Sequence, residues 1–130
     1  MVNWSYNDTL VTSAPETAKA FVYYMEFEDG TKYIGKKNLQ SIRKKKIEGK
    51  VRKQKVVTES NWKNYTSSSS EVKQKIKAGH KLVKREILCW CYTLGEASYK
   101  EAELQFKHGV LLSDTWLNRW IYVKVYKSNI

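Results

Sequence analysis

The alternation of apolar and polar positions divides the chain into strand-like and helix-like stretches. Phe21 to Phe27 reads Phe-Val-Tyr-Tyr-Met-Glu-Phe, aromatic and β-branched, and the pattern resumes at Thr31-Lys32-Tyr33-Ile34-Gly35 after Glu28-Asp29-Gly30. Asp-Gly between two such runs is a strong hairpin signal. Val83 to Tyr92, containing Ile-Leu-Cys-Trp-Cys-Tyr, predicts a central or third strand. Helical spacing follows elsewhere. Ser68-x-x-Glu71 has the form of a capping box, Val72 and Ile76 lie one turn apart and Gly79 sits where a helix should stop, so a short helix is predicted over 69–78. Thr93-x-x-Glu96 opens a longer helix running to His108, with Gly109 past its end. Between the hairpin and these helices, Asn38 is predicted to cap a short helix with Leu39, Ile42 and Ile47 on its inner side and Gly49 at its end. The alternating tail from Trp116 to Tyr126 predicts an edge strand, and the polar residues 1–20, with Trp4 and Tyr6 as anchors and Pro15 as a breaker, read as a packed arm. The order β-β-α-α-β-α describes a small α/β (α+β) domain, a mainly antiparallel three-stranded sheet flanked by helices, over 21–118, with the arm before it and a tail at 119–130.

Composition adds a partner class. The 130 residues hold one domain with a real core, since 42% are hydrophobic and proline occurs once, which excludes disorder and collagen-like chains. Lys and Arg total 24 against 13 Asp and Glu, a net charge of +11, and such a field attracts polyanions. Much of it falls in one stretch that includes Lys36, Lys37, Arg43, Lys44, Lys45, Lys46, Lys50, Arg52, Lys53 and Lys55. A solvated loop with no partner is the plain alternative, but nothing in the chain offsets this field, and phosphate neutralisation gives it a direct use. Lys37, Lys44, Lys45, Lys46, Arg52, Lys53 and Lys55 are therefore candidates for contacts with the phosphate backbone; aromatics are few there, which favours backbone contact over base stacking. No run approaches the roughly 18 apolar residues of a membrane span, and no signal-like run opens the chain, so a cytoplasmic protein without membrane contact is expected. Cys89 and Cys91 share a strand face without easy bridging geometry, as two small apolar residues of a reducing compartment. His80 and His108 are read as surface residues.

One carboxylate stands in the wrong place. On a wheel drawn at about 100° per residue, Leu94, Ala97, Tyr99, Ala102, Leu104 and Phe106 share an arc, with Glu96, Lys100, Glu103 and Lys107 opposite. Glu101 falls within the apolar arc. An inward carboxylate needs a cation, a metal or hydrogen-bond donors. From pattern alone a structural ion pair with a basic residue is favoured about two to one.

The residues together resemble a family. Phe21-Val22-Tyr23, followed after a hairpin by Tyr33-Ile34-Gly35-Lys36-Lys37, is similar to the paired motif of the GIY-YIG nucleases. Arg43 follows Tyr33 by ten positions, where the family carries an arginine on a helix; Glu101 lies in the last helix, as the family's metal-binding glutamate does; and Asn118 sits where many members have a Tyr-Asn ending. Glu59 to Tyr65 with the serines after it, Val83 to Leu88, and Glu101 through Phe106 resemble, in order and spacing, a phage-borne, homing-endonuclease-like branch of small stand-alone members. The likeness covers Phe21 to Asn118. Three departures accompany it. Phe21 replaces the glycine that opens the first motif, the serine run opens Tyr65-Thr66-Ser67 where the branch prefers a glycine at the second position, and the two tyrosines are one residue closer than expected. A two-residue Asp29-Gly30 turn would put Tyr24 on the face of Tyr33, whereas a three-residue loop with Gly30 as a bulge would put Tyr23 there. Tyr23 is taken first and Tyr24 as the alternate.

The resemblance implies a DNA endonuclease that hydrolyses phosphodiester bonds with one divalent metal, Mg²⁺ or Mn²⁺, on Glu101. A single carboxylate with waters and a substrate oxygen suits Mg²⁺, and the chain lacks the His and Cys density of a zinc site. By the same analogy Tyr23 acts as general base or positions the water, with its phenol shifted by cations such as Lys36; Tyr33 bonds the water or phosphate; Arg43 binds the phosphate; and Asn118 supports the glutamate's helix. Without the resemblance, each tyrosine reads as a core aromatic. No separate recognition domain is evident, so specificity would come from loops, a homodimer or a partner protein, and a double-strand cut would need two sites or two nicks. The competing expectation is a non-catalytic nucleic-acid-binding protein, or an assembly component, that keeps the nuclease scaffold. A basic structural protein of RNA complexes explains the charge but not the inward Glu101.

Overall fold

The computed structural model describes residues 2–46, 48, 49, 52 and 54–130. Lys53, Lys50 and Ile47 lie outside the described residues, as does the side chain of Lys45. Among the described residues, seven strands and two α-helices follow in the order β1 (Trp4–Tyr6), β2 (Thr9–Leu10), β3 (Ala20–Phe27), β4 (Lys32–Asn38), β5 (Gln40–Lys45), β6 (Gln54–Glu59), α1 (Ser70–Lys77), β7 (Leu82–Cys91) and α2 (Leu94–Lys107). Five strands form one mixed sheet in the order β2-β1-β7-β3-β4, and β5 and β6 form a separate two-stranded ribbon. The expected antiparallel trio is β7-β3-β4, with β3 between its two partners, β7 central in the five-stranded sheet and β4 on the edge. The arm adds the other two strands: Trp4 pairs in parallel with Arg85, and its indole N–H donates to the Trp62 carbonyl at 2.9 Å.

The β3–β4 hairpin closes with a three-residue loop. Phe27 N–H donates to Thr31 O and Gly30 N–H to Phe27 O, both at 2.9 Å, and Gly30 has φ of 86°, a left-handed conformation that costs glycine little. The register then sets Met25 opposite Tyr33, Tyr24 opposite Ile34 and Tyr23 opposite Gly35. Side chains alternate along a strand, so Tyr23 shares the face of Tyr33 and Tyr24 lies on the other.

The two faces carry separate cores. Phe21, Tyr23, Met25, Phe27, Ile87, Trp4, Trp62 and Val72 pack on one, and Val22, Ile34, Cys91, Ala97 and Val110 on the other, under α2. Trp4, Phe21, Trp62 and Trp90 meet edge to face at centroid separations of 5.2–6.3 Å, a geometry aromatic rings favour.

Three expectations are corrected. The helix expected after Asn38 is the β5–β6 ribbon, with Ile42 opposite Val57 and Arg43 opposite Val56. Leu39 and Ile42 do not continue a helical stripe, whereas Gln54-Lys55-Val56-Val57-Thr58-Glu59 is rich in β-branched residues that suit a strand, and Gly49 turns with φ of 80°. The tail forms no edge strand. Apart from a single bridge between Lys32 and Trp116, it crosses the sheet edge as an irregular strap. On α2 the buried positions are Gly95, Ala97, Ala102 and Gln105, while Leu94, Tyr99 and Phe106 are exposed. Small residues let the helix approach the sheet closely, so the contact face is narrower than the apolar arc. The helix caps are close to the expected ones: Thr93 Oγ1 accepts from Glu96 N–H at 2.9 Å, but α1 is capped by Ser69, one residue later than Ser68.

Candidate active site

Tyr23 is 1% exposed, and the reason glycine follows Ile34 is the ring lying over it. A Cβ built on Gly35 would stand 2.5 Å from the Tyr23 hydroxyl oxygen, 2.7 Å from its Cζ and 2.8 Å from Tyr33 Cε1. The Tyr23 ring is 6.1 Å from that of Tyr33 and 5.8 Å from that of Tyr65, over which the Lys37 ammonium sits at 4.4 Å. Its hydroxyl donates to Ser67 Oγ at 2.9 Å, and Ser67 Oγ in turn accepts the Ser69 backbone N–H at 3.1 Å. Ser67 is buried with φ of 88°, a left-handed conformation rare for a residue with a side chain. Nothing in the run of serines singles it out; only its backbone and its partner do.

Burial, together with the neighbouring phenols of Tyr65 and Tyr33, holds the Tyr23 phenol well above the ordinary tyrosine range. The expected shift by Lys36 is absent, because Lys36 points to the opposite face and donates to Ser98 Oγ at 2.6 Å. Tyr33, half-buried, is pushed up to about 12, first by desolvation and then by the nearby Glu101 carboxylate. Both phenols therefore stay protonated at neutral pH.

Glu101 reaches the sheet edge from α2. It lines a cavity of 160 Å³ with Tyr33, Lys36, Ser98, Gln105 and Trp120. Burial raises its carboxyl above the usual range, opposed by the Lys36 charge and a Lys36 backbone N–H. No ion pair reaches it among the described residues, so the structural salt bridge that pattern alone favours is not formed. A half-buried carboxylate that shares a small polar cavity with Lys36 and Lys124 has the chemistry of a monodentate ligand for a hard cation that keeps most of its waters. No group of three or more His, Cys, Asp or Glu gathers anywhere among the described residues.

Asn118 closes the strap onto this edge. Its Oδ1 accepts the Ile34 N–H at 3.2 Å and its Nδ2 donates to the Ile34 carbonyl at 2.8 Å, supplying an edge strand with the pairing a sixth strand would give. Gln105 Nε2 donates to that same carbonyl at 3.0 Å, while its Oε1 is buried without a partner among the described residues. Asn118 thus acts on β4 rather than directly on α2.

The remaining candidates lie elsewhere. Tyr24, on the opposite face, packs its ring 6.0 Å from that of Trp116 and donates its hydroxyl to Glu26. Arg43 and Lys44 are exposed on β5 and Lys55 on β6, and neither cavity at Tyr33 is lined by Arg43. Lys46 and Arg52 are exposed beyond the paired residues. Lys44 and Lys55 stand directly opposite one another, a like-charge pair that destabilises a ribbon unless something neutralises it.

A mixed sheet whose edge strand sets Tyr33 beside Glu101, with Tyr23 buried behind it, makes this an α+β domain with a polar cavity at its edge. The family model described as "Putative endonuclease segE, GIY-YIG domain" matches residues 4–121, and the chain belongs to the GIY-YIG endonuclease family. No curated protein and no solved structure gives a significant match. The matched span takes in the arm strand β1 and the start of the strap, both outside the region the motifs covered. Among the described residues, no helix is long and apolar enough to cross a membrane.

Proposed function

We propose that this chain is a divalent-metal-dependent DNA endonuclease, encoded by a phage, whose active centre is the sheet edge where Tyr33, Lys36 and Glu101 line one cavity, with Tyr23 buried behind Tyr33. The observation that carries the reading is the Glu101 carboxylate, half-buried and without an ion pair among the described residues, in a cavity that also holds Tyr33 and Lys36. Mg²⁺ or Mn²⁺ on Glu101 would neutralise charge at the phosphate and make a bound water more acidic. The phenol of Tyr33, protonated at neutral pH, serves as a donor that orients the attacking water or a phosphate oxygen, while Tyr23, enclosed and bonded to Ser67, packs behind Tyr33 and holds its place; neither needs to ionise. Lys36 places a cation beside the carboxylate, where it offsets the cost of keeping Glu101 ionised. The β5–β6 ribbon, with Arg43, Lys44, Lys46 and Lys55 exposed, holds the DNA backbone without reading sequence. A second copy or a partner protein would supply specificity and the second cut.

Purified protein and Glu101→Ala are incubated with supercoiled plasmid in Mg²⁺ or EDTA, and a gel shift verifies that both bind. Nicked or linear product from the wild type alone, and only with metal, is the expected result. Equal binding with no cleavage by either protein refutes the enzyme and leaves the scaffold as a nucleic-acid-binding module, the reading that the position of Arg43 away from the cavity favours.

A further inference from the structure

Arg43, the arginine to which the family resemblance points, is exposed on the ribbon and absent from both cavities at Tyr33. A different guanidinium is present there. We propose that Arg119, on the strap after α2, is the phosphate-binding arginine of this site and takes a DNA backbone phosphate in the groove beside Tyr33. The inference rests on the nuclease reading above.

Position is the first support. A groove of 390 Å³ is lined by Tyr33, Ser69, Glu71, Asn118, Arg119 and Trp120, and it shares Tyr33 and Trp120 with the Glu101 cavity. Tyr33 therefore borders both the cavity that holds the carboxylate and the groove that holds the guanidinium, and joins the two.

Orientation is the second. Arg119 Nε stands 2.7 Å from Glu71 Oε1 in an ion pair, and its guanidinium remains mostly exposed to solvent in the groove. Glu71 is itself held, its other oxygen accepting from the Ser69 and Ser70 hydroxyls at 3.1 Å each. A guanidinium tethered by this ion pair yet open to solvent keeps a planar fork available, the geometry that binds phosphate through two parallel hydrogen bonds. Glu71 thus positions Arg119 while leaving its phosphate-binding edge open.

Attachment is the third. The strap is tied at both ends: Leu117 N–H donates to Lys32 O at 2.8 Å and Asn118 bonds Ile34, while at the far end Thr93 Oγ1 donates to Asn129 O at 3.2 Å. Asn129 O also lies so close to Gly95 that any Cβ there would collide with it. Arg119 follows a buried anchor by one residue, so its backbone is fixed before substrate arrives.

The test compares wild type, Arg119→Ala, Arg119→Lys and Arg43→Ala, with cleavage measured in single turnover at saturating protein, DNA affinity by fluorescence anisotropy, and the ¹⁵N-labelled Arg119 Nε–H resonance followed as a DNA duplex is added in EDTA. Arg119→Ala is expected to lose about 100-fold in saturated rate, the scale of removing one donor from a charge-stabilising site, with a much smaller loss of affinity and partial recovery in Arg119→Lys. Arg43→Ala is expected to act the other way, costing affinity and about one unit of salt slope more than rate. The Arg119 Nε resonance should move as DNA binds. Cleavage by Arg119→Ala within about threefold of wild type, or an Nε resonance unmoved by DNA, overturns the proposal. If the wild type does not cut at all, the nuclease reading fails, and the Nε resonance alone decides whether Arg119 holds a phosphate.

Discussion

Gly35→Ala should be far more costly than its single methyl group suggests, and the structure sets the scale. The added Cβ meets the Tyr23 hydroxyl and Cζ and the Tyr33 ring at 2.5–2.8 Å, well inside van der Waals contact. Tyr33 is half-buried and can yield, but Tyr23 is fully enclosed, with Trp4, Phe21 and Tyr65 all within 6.2 Å of its ring centroid. Forcing that ring aside costs about 1–3 kcal/mol of overpacking. The hydrogen bond from Tyr23 to Ser67 is lost as well, for about 1 kcal/mol. The sum is about 2–4 kcal/mol, and at about 4 °C per kcal/mol for a chain of this size Tm should fall by about 8–16 °C. Gly30→Ala is the comparison: its Cβ meets nothing within 4 Å, and only the left-handed φ of 86° is penalised, by about 1–2 kcal/mol. Calorimetry on both variants, and on Gly35→Ala combined with Tyr23→Leu, reads the difference. Removing the tyrosine ring should make the Gly35 substitution nearly harmless, a coupling that a double-mutant cycle measures directly. A Gly35→Ala protein that melts within about 2 °C of wild type, or a double variant that shows no coupling, would sink the idea that Tyr23 excludes a side chain here.

Three further predictions test other parts of the edge. Tyr23→Phe should cost about 1 kcal/mol in urea unfolding and most of the cleavage rate, whereas Tyr24→Phe, on the far face, should lose much less of the rate; equal losses would mean the hairpin register does not decide which tyrosine acts. Glu101→Gln should raise Tm at pH 7. Because burial raises the folded pKa of Glu101, ionisation costs stability as pH rises from the ordinary carboxylate value of about 4.3 through the folded value, and the whole cost persists at neutral pH. The advantage of the glutamine variant should shrink below about pH 4, and a variant no more stable than wild type at pH 7 contradicts the assigned burial. Asn118→Ala removes two hydrogen bonds to Ile34 and leaves its N–H unpaired, so a loss of about 2–3 kcal/mol is expected by urea titration; a loss below about 1 kcal/mol would show that the strap does not brace β4.

Local chemistry was enough to read much of this protein from its residues. The Asp29-Gly30 hairpin, the Thr93 cap, the Val83–Tyr92 strand and the basic field all depend on neighbours within a few positions or on a simple sum of charges. The anomaly of Glu101 was also visible, because one charged residue in an apolar arc needs no partner to be noticed. Which tyrosine faces Tyr33 was a different matter: two- and three-residue loops are both open to Glu28-Asp29-Gly30, and the choice reverses every side chain along β3. The pattern after Asn38 suggests a helix ending at Gly49 where the structure has the first strand of a ribbon, because that strand pairs with Gln54–Glu59, beyond the reach of a local pattern, and buries little. Ser67, Gln105 and Arg119 carried no signal at all. Each derives its role from a contact across 44, 71 or 48 positions, to Tyr23, Ile34 and Glu71 respectively. Pattern reports which face of an element is apolar, but the strap's path and the edge where Tyr33 joins the Glu101 cavity to the Arg119 groove follow from how the elements pack, and only the tertiary structure decides that.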